Sequence, residues 1–302
     1  MFTKFQDIFA ELAGRGAKKR MIAAWAVDGH TIAAASKAVD LGIVEATLVG
    51  DEALIKAECA NQGIDMGKFK IVHNPSELPA VAEAVTMVNQ GEGDILMKGL
   101  CSTDKFMRAI LNKETGLLPP KAVLSHCAVV ENPNYHKLLF IGDMAVIPAP
   151  DLTQKVAILN YLVNTARAMG IEKPKVAIIA ATEQMLYKMP ACVEAAIIAK
   201  MVDRGQIRNC IADGPLALDV AIDQEAVEIK HVVSPVAGDA DCLVFPNIES
   251  ANVFYKCNSK LASNVKQAGM VVGAKVPCVL SSRADSIDTK LNSIAIAAMS
   301  AR

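Results

Sequence analysis

Two stretches of this 302-residue chain place residues able to hold an anion directly behind an apolar, strand-like run and in front of a helix-like one. In Val276-Pro-Cys-Val-Leu-Ser-Ser-Arg-Ala-Asp-Ser-Ile-Asp-Thr-Lys290, a strand ending at Leu280 delivers Ser282 and Arg283 to a helix start. Ligands of open α/β sheets gather at the carboxyl ends of strands, where free backbone N–H groups and the positive end of a helix dipole favour negative charge. A guanidinium there adds a planar fork of donors. The bland reading is also good: Asp285 with Asp288 three residues on reads as a helix cap backed by a first-turn acid, and Arg283 then only neutralises them. For the two acids capping ranks ahead of chemistry. For Ser282 and Arg283 the residues alone leave the readings even.

The second stretch is Asp94-Ile-Leu-Met-Lys-Gly-Leu-Cys-Ser-Thr-Asp-Lys105. Gly99 permits close backbone approach, Lys98 brings a point charge, Ser102 or Thr103 caps the next helix, and Lys105 and Arg108 add charge to it. The arrangement is that of a phosphate cradle without a Walker A or dinucleotide pattern, and a solvated Lys98 is its commoner explanation. Asp213, Asp219, Asp239 and Asp241 suggest a divalent metal, but Asp213-Gly-Pro reads as a turn and Asp219 as a first-turn acid, so metal is the minority reading. A satisfied structural role is the default for His30, His73, His126, His136 and His231.

The elements that must carry these residues follow from alternating patterns. Apolar runs at Lys19 to Ala26, Ala46 to Val49, Lys68 to Val72 and Asp94 to Lys98 read as strands. Helices starting near Thr31, Glu52 and Leu78 lie between them, and repeated βα units imply α/β with mostly parallel sheets. Two successive strands, Ala122 to Val130 and Lys137 to Gly142, break the rhythm, as a crossing into a second lobe would. It resumes with helices at Asp151 to Met169 and Cys192 to Asp203 and strands at Lys175 to Ala180, Asn209 to Ala212 and Cys242 to Phe245, and a helix over Asp285 to Met299 closes the chain.

Composition narrows the function. Hydrophobic residues are 52%, aromatics 4% and the net charge −1, so nothing marks a nucleic-acid-binding face. Met1 to Arg15 reads as an amphipathic helix rather than a signal peptide, and no apolar run is fit to span a bilayer, so a cytoplasmic protein without membrane partners is expected. The eight cysteines contain no Cys-x-x-Cys pair, against a zinc site or a disulfide framework.

Leu96-Met-Lys-Gly99, Leu124-Ser-His126, Pro148-Ala-Pro-Asp-Leu152, Asp213-Gly-Pro-Leu-Ala-Leu-Asp219, Val236-Ala-Gly-Asp-Ala-Asp241, Asn252 with Tyr255-Lys256, and Ser281-Ser-Arg-Ala-Asp-Ser286 together resemble the phosphate acetyl/butyryl transferase family over nearly the whole chain. Each is weak alone; the ordered set is specific. Met97-Lys-Gly99, Gly238-Asp-Ala-Asp241 and Ser282-Arg-Ala-Asp-Ser286 look like the butyryl branch, since the acetyl branch typically carries Ser-Arg-Gly at the last position.

The resemblance implies a two-lobed α/β/α fold shared with isocitrate and isopropylmalate dehydrogenases. Residues 1–123 plus 269–302 would form the first lobe and 124–268 the second, with the active-site cleft between them. It implies reversible conversion of acyl-CoA and phosphate to acyl phosphate and CoA through a ternary complex. Butyryl-CoA or a similar short-chain substrate is favoured and acetyl-CoA is the alternative. Ser282 would hydrogen-bond the thiol or thiolate, and Arg283 would bind phosphate and offset charge on the tetrahedral oxygen. The acetyl branch's catalytic acid falls on Thr289, leaving Asp288 and Asp285 as candidates for the thiol-activating base. Lys98, Gly99, Ser102, Thr103, Ser125, His126, Lys256 and Lys290 are the expected phosphate- and CoA-binding positions. CoA and phosphate are substrates, no permanently bound cofactor or metal is expected, and a homo-oligomer is. An NAD-linked dehydrogenase of the same fold would need metal-binding aspartates and clustered arginines, whereas the eight arginines are scattered. A hinged small-molecule binding protein is the non-enzymatic reading, and such proteins are usually exported.

Overall fold

The amphipathic start folds as α1 (Phe5–Gly14), burying Phe5, Ile8 and Leu12. Four strand–helix units follow: β1 (Lys19–Ala24) and α2 (Gly29–Asp40), β2 (Val44–Gly50) and α3 (Glu52–Gln62), β3 (Lys70–His73) and α4 (Glu77–Asn89), β4 (Ile95–Lys98) and α5 (Thr103–Ile110). Next come β5 (Ser125–Glu131), β6 (Leu139–Gly142), α6 (Leu152–Ala168), β7 (Lys175–Ile179), α7 (Pro190–Asp203), β8 (Ile211–Leu216), α8 (Leu218–Ile222), α9 (Gln224–Lys230), β9 (Cys242–Val244) and α10 (Ile248–Leu261). The chain ends with β10 (Lys266–Val272), β11 (Cys278–Val279) and α11 (Ile287–Ser300). This computed structural model describes residues 1–281 and 285–302; Ser282 and Arg283, with Ala284, lie outside the described residues.

Two compact units emerge, one of Phe5–Leu124 with Ala268–Arg302, the other of Ser125–Gln267 with Met1–Lys4. In the first, the strand order is β3-β2-β1-β4-β11-β10, parallel except where β10 meets β11. Every residue of β4 and the last four of β1 are buried, as expected of parallel strands covered by helices on both faces. In the second, the order is β5-β6-β9-β7-β8, with only β5 running against its neighbour. Its core packs Val130, Leu139, Ile141, Ala177, Leu243 and Phe245 together.

Two local expectations need correction. Asp213-Gly-Pro, read as a turn, lies inside β8. Gly214 lets that strand run close to β7, since a Cβ there would stand 2.8 Å from the Ile178 carbonyl oxygen and 3.1 Å from the Ala195 Cβ. Pro215, which cannot donate to a ladder, is tolerated because β8 pairs on one side only. The cap of α11 is Ser286, whose Oγ accepts the Thr289 N–H at 3.1 Å, rather than Asp285. Asp219 is the first-turn acid of α8, as its position in the sequence suggests, while helices α9 and α10, on either side of β9, were not read in the sequence, α10 starting at an Asn247 cap. Among the described residues, no helix is long and apolar enough to cross a membrane.

Candidate active site

Strand order in the first unit decides which polar residues meet. Ala24 of β1 pairs with Lys98 of β4, and Met97 of β4 pairs with Val279 of β11, so three carboxyl ends lie side by side. After β1 the chain turns at Trp25, whose φ of 53° lies in the left-handed region. The Gly99 N–H donates to the Ala24 carbonyl at 2.9 Å and the Leu100 N–H to that of Trp25 at 3.0 Å. Only glycine fits at position 99. A Cβ would press on the Trp25 carbonyl oxygen and stand 2.7 Å from that of Ala24.

Into this edge come two buried ammonium groups and one carboxylate. Lys98, 4% exposed, donates to the carbonyls of Gly99 at 3.1 Å and Cys101 at 3.0 Å. Lys290, 5% exposed in the first turns of α11, donates to the Ser281 Oγ at 2.8 Å, next to Ser282 in the chain. Burial pushes the Lys290 pKa below the ordinary lysine value; the charges of Asp28 and Asp285 oppose this, and that of Lys98 adds to it. Asp28 caps α2, its Oδ1 accepting the Thr31 N–H at 3.0 Å, while its Oδ2 is buried with no hydrogen-bond partner among the described residues. Asp28, Thr31, Lys98, Gly99, Leu100 and Lys290 line a cavity of about 70 Å³. Two buried lysines beside so small a cavity suit an oxyanion rather than an acyl chain.

The remaining expected site residues divide. Ser102 caps α5 through the Lys105 N–H at 3.3 Å, and Thr103 is exposed beside it. Lys105 and Arg108 are held by Glu77 at 2.6 Å and Asp104 at 3.0 Å, so both join surface ion pairs. Asp288 is 78% exposed and meets Lys37 at 3.1 Å, whereas Asp285, partly buried, contributes to the field at Lys290. Ser125 and His126 belong to the second unit and are buried there. The Ser125 Oγ and the His126 N–H donate to the Asp143 Oδ2 at 2.8 and 3.2 Å. Asp143 also accepts the N–H groups of Ala145, Val146 and Ile147, fixing the loop behind β6. Lys256 is exposed on α10. Thus Lys98, Gly99 and Lys290 come together in one unit, while Ser125, His126 and Lys256 are carried by the other.

Asp28 and Asp143 escaped the sequence reading, although each closely follows a strand end, the positional signal that flagged Lys98. The Gly238-Asp-Ala-Asp241 motif has a different task. Lys137 meets Asp239 and Asp241 at 2.8 Å each, and Lys175 meets Asp239 at 2.8 Å while its N–H donates to Asp241 at 2.7 Å. Burial raises the Asp239 pKa, but hydrogen bonds from Lys137, Lys175 and His136 outweigh it and hold the carboxyl well below the usual range. These charges fasten the amino ends of β6, β7 and β9, opposite their carboxyl edge. Among the described residues, no group of three or more acids, histidines and cysteines is arranged to hold a metal. Cys257 is exposed and the other seven cysteines are buried. Burial pushes the Cys101 thiol up to about 11 and the Cys127 thiol up to about 12, so neither supplies a thiolate nucleophile near neutrality.

The sequence matches the family described as phosphate acetyl/butaryl transferase over residues 4–83 and 77–298. It is 44% identical over 299 residues to the phosphate butyryltransferase of Clostridium acetobutylicum, covering 99% of this chain and 98% of that protein. Identity to the phosphate acetyltransferase of Thermotoga maritima is 41% over 295 residues, covering 98% of this chain and 99% of the relative. The crystal structure of a branched-chain phosphotransacylase from Enterococcus faecalis V583 superposes with a TM-score of 0.81 at 30% identity, covering 93% of this chain and 98% of that one.

Proposed function

The chain belongs to the phosphate acetyl/butyryl transferase family, and on that premise we propose that it transfers a short acyl group, butyryl in preference to acetyl, reversibly between CoA and inorganic phosphate. The observation that carries the reading is the convergence of Lys98, Gly99 and Lys290 around a small cavity, with Lys290 bonded to Ser281, the residue before Ser282-Arg283 in the sequence. In the forward direction a phosphate oxygen bonds to the acyl carbon, the carbon–sulfur bond breaks toward sulfur, and the proton that hydrogenphosphate brought ends on the CoA thiol. The proton balance therefore closes without a proton from outside, and the protein has to hold phosphate, oxyanion and thiolate, with a carboxylate to pass that proton to or from sulfur.

Lys98 and Lys290 supply positive charge in a desolvated setting, where it acts more strongly than in water. Ser282 is assigned to the sulfur, and Arg283 to phosphate and the tetrahedral oxygen. Of the two candidate acids, Asp285 is preferred as partner of the thiol, because its charge reaches Lys290 while Asp288 is turned to solvent. CoA and phosphate come and go as substrates, and eight cysteines without a disulfide suit the reducing cytoplasm. Replacing Arg283 with Ala tests the assignment. The rate should fall by on the order of a hundredfold, as for loss of one preorganised donor to developing charge; near-normal turnover would remove Arg283 from the mechanism.

A further inference from the structure

Beside the two lysines stands a carboxylate that the chemistry above leaves unused. Asp28 lines the cavity and needs only one oxygen to cap α2, yet its Oδ2 is buried with no hydrogen-bond partner among the described residues. Buried polar atoms are nearly always paired, and leaving one unpaired costs free energy, so a carboxylate oxygen kept in this position calls for a donor. The lysines are engaged elsewhere, Lys98 with two carbonyls and Lys290 with Ser281, although the charge of Asp28 is felt at Lys290.

We propose that Asp28 accepts a hydrogen bond from the P–OH group of inorganic phosphate and so makes the cavity selective for a protonated oxyanion over sulfate. This deepens the phosphotransacylase reading and rests on it. Inorganic phosphate keeps at least one P–OH proton throughout the neutral range, whereas sulfate keeps none. Both anions offer acceptors to Lys98 and Lys290; only phosphate also offers a donor. Sulfate would set lone pairs against the lone pairs of the Oδ2, with like charges facing each other at close quarters. The cavity, about 70 Å³ in volume, is small, and an anion entering it comes close to Asp28 as well as to the two lysines. In the cavity lining itself one carboxylate stands against two ammonium groups, while Asp285 adds its charge at Lys290 from outside that lining.

The test uses two variants that keep the helix cap, because Asn and Ser both cap as well as Asp does. Asp28→Asn replaces the acceptor with an amide, and Asp28→Ser removes it. The readouts are the KM for phosphate and the inhibition constant of sulfate in the release of CoA thiol from butyryl-CoA, with thermal melting as the check on folding. Loss of a hydrogen bond to a charged group predicts a phosphate KM about tenfold higher or more, with sulfate inhibiting at lower concentration than in the wild type. An unchanged sulfate-to-phosphate ratio in both folded variants would overturn the assignment and leave Asp28 a cap alone. Calorimetric titration of the wild-type chain with phosphate and with sulfate reads selectivity without turnover. Absence of turnover with selective phosphate binding would count against the transferase reading alone; equal binding of the two anions would count against Asp28.

Discussion

Replacing Gly99 with Ala adds one methyl group at the point where β4 leaves the sheet, and the neighbours it meets cannot yield. They are backbone atoms: the Trp25 carbonyl oxygen, the Ala24 carbonyl oxygen at 2.7 Å and the Trp25 carbonyl carbon at 2.8 Å. These two carbonyls accept the Gly99 and Leu100 N–H groups, so relieving the clash stretches the same hydrogen bonds. Overpacking of this kind costs about 1–3 kcal/mol, and each weakened hydrogen bond adds about 1 kcal/mol. A destabilisation of about 3 kcal/mol is expected, which lowers the melting temperature by roughly 6–12 °C for a folding unit of this size. Because the displaced backbone adjoins Lys98 at the end of β4 and lines the same cavity as Asp28, the phosphate KM should rise in parallel, even well below the melting temperature. Differential scanning calorimetry with phosphate-dependent thiol release measures both. A variant that melts within about 1 °C of wild type and keeps its KM, against the roughly 2–4 °C per kcal/mol expected, would refute the claim that backbone contact dictates this glycine.

Two further substitutions separate the buried charges from the exposed ones. Lys290→Met keeps the bulk and removes the ammonium, and losing a charged hydrogen bond worth about 1.5–3 kcal/mol predicts a fall in kcat/KM for phosphate of roughly tenfold to 150-fold. Because burial depresses the Lys290 pKa, the folded protein gives up this proton at lower pH than the unfolded chain does. Stability contributed by this group therefore increases as pH rises through the window between the folded and the ordinary lysine value, while phosphate affinity falls in the same window. A KM–pH profile of the wild type should show that alkaline loss, and Lys290→Met should flatten it; identical profiles would exclude the ammonium from phosphate binding. Asp288→Asn removes only an exposed partner of Lys37, so turnover should stay within about twofold and stability within about 0.5 kcal/mol. A large loss of kcat would instead make Asp288 the thiol's base.

Residues at strand ends were legible because position there has a physical meaning. Lys98 and Gly99 end an unbroken apolar run, which placed them at a strand's carboxyl end, but the solvated state ranked as commoner for Lys98 is overturned. It is 4% exposed, because β4 is flanked by β1 and β11 and its ammonium is taken up by the carbonyls of Gly99 and Cys101. Asp28 was missed because the helix pattern becomes evident near Thr31, and a cap three residues earlier looks complete without its second oxygen. Asp143 was missed for a related reason: its partners are backbone N–H groups and Ser125, which only the pairing of β5 with β6 brings near. The aspartates at 239 and 241 carry a family motif yet lie at the amino ends of strands, a distinction that needs strand direction and order. Asp213-Gly-Pro misled because Gly and Pro signal turns locally, while the tight approach to Ile178 and the edge position of β8 are long-range facts.

The most direct measurement is CoA thiol release by the purified chain from a panel of acyl-CoAs, with and without inorganic phosphate. Thiol should appear only when phosphate is present, faster from butyryl-CoA than from acetyl-CoA, with acyl phosphate formed in equal amount. Release that does not depend on phosphate would make the protein a thioesterase and contradict the assignment; phosphate-dependent release fastest from acetyl-CoA would keep the chemistry and overturn the acyl preference.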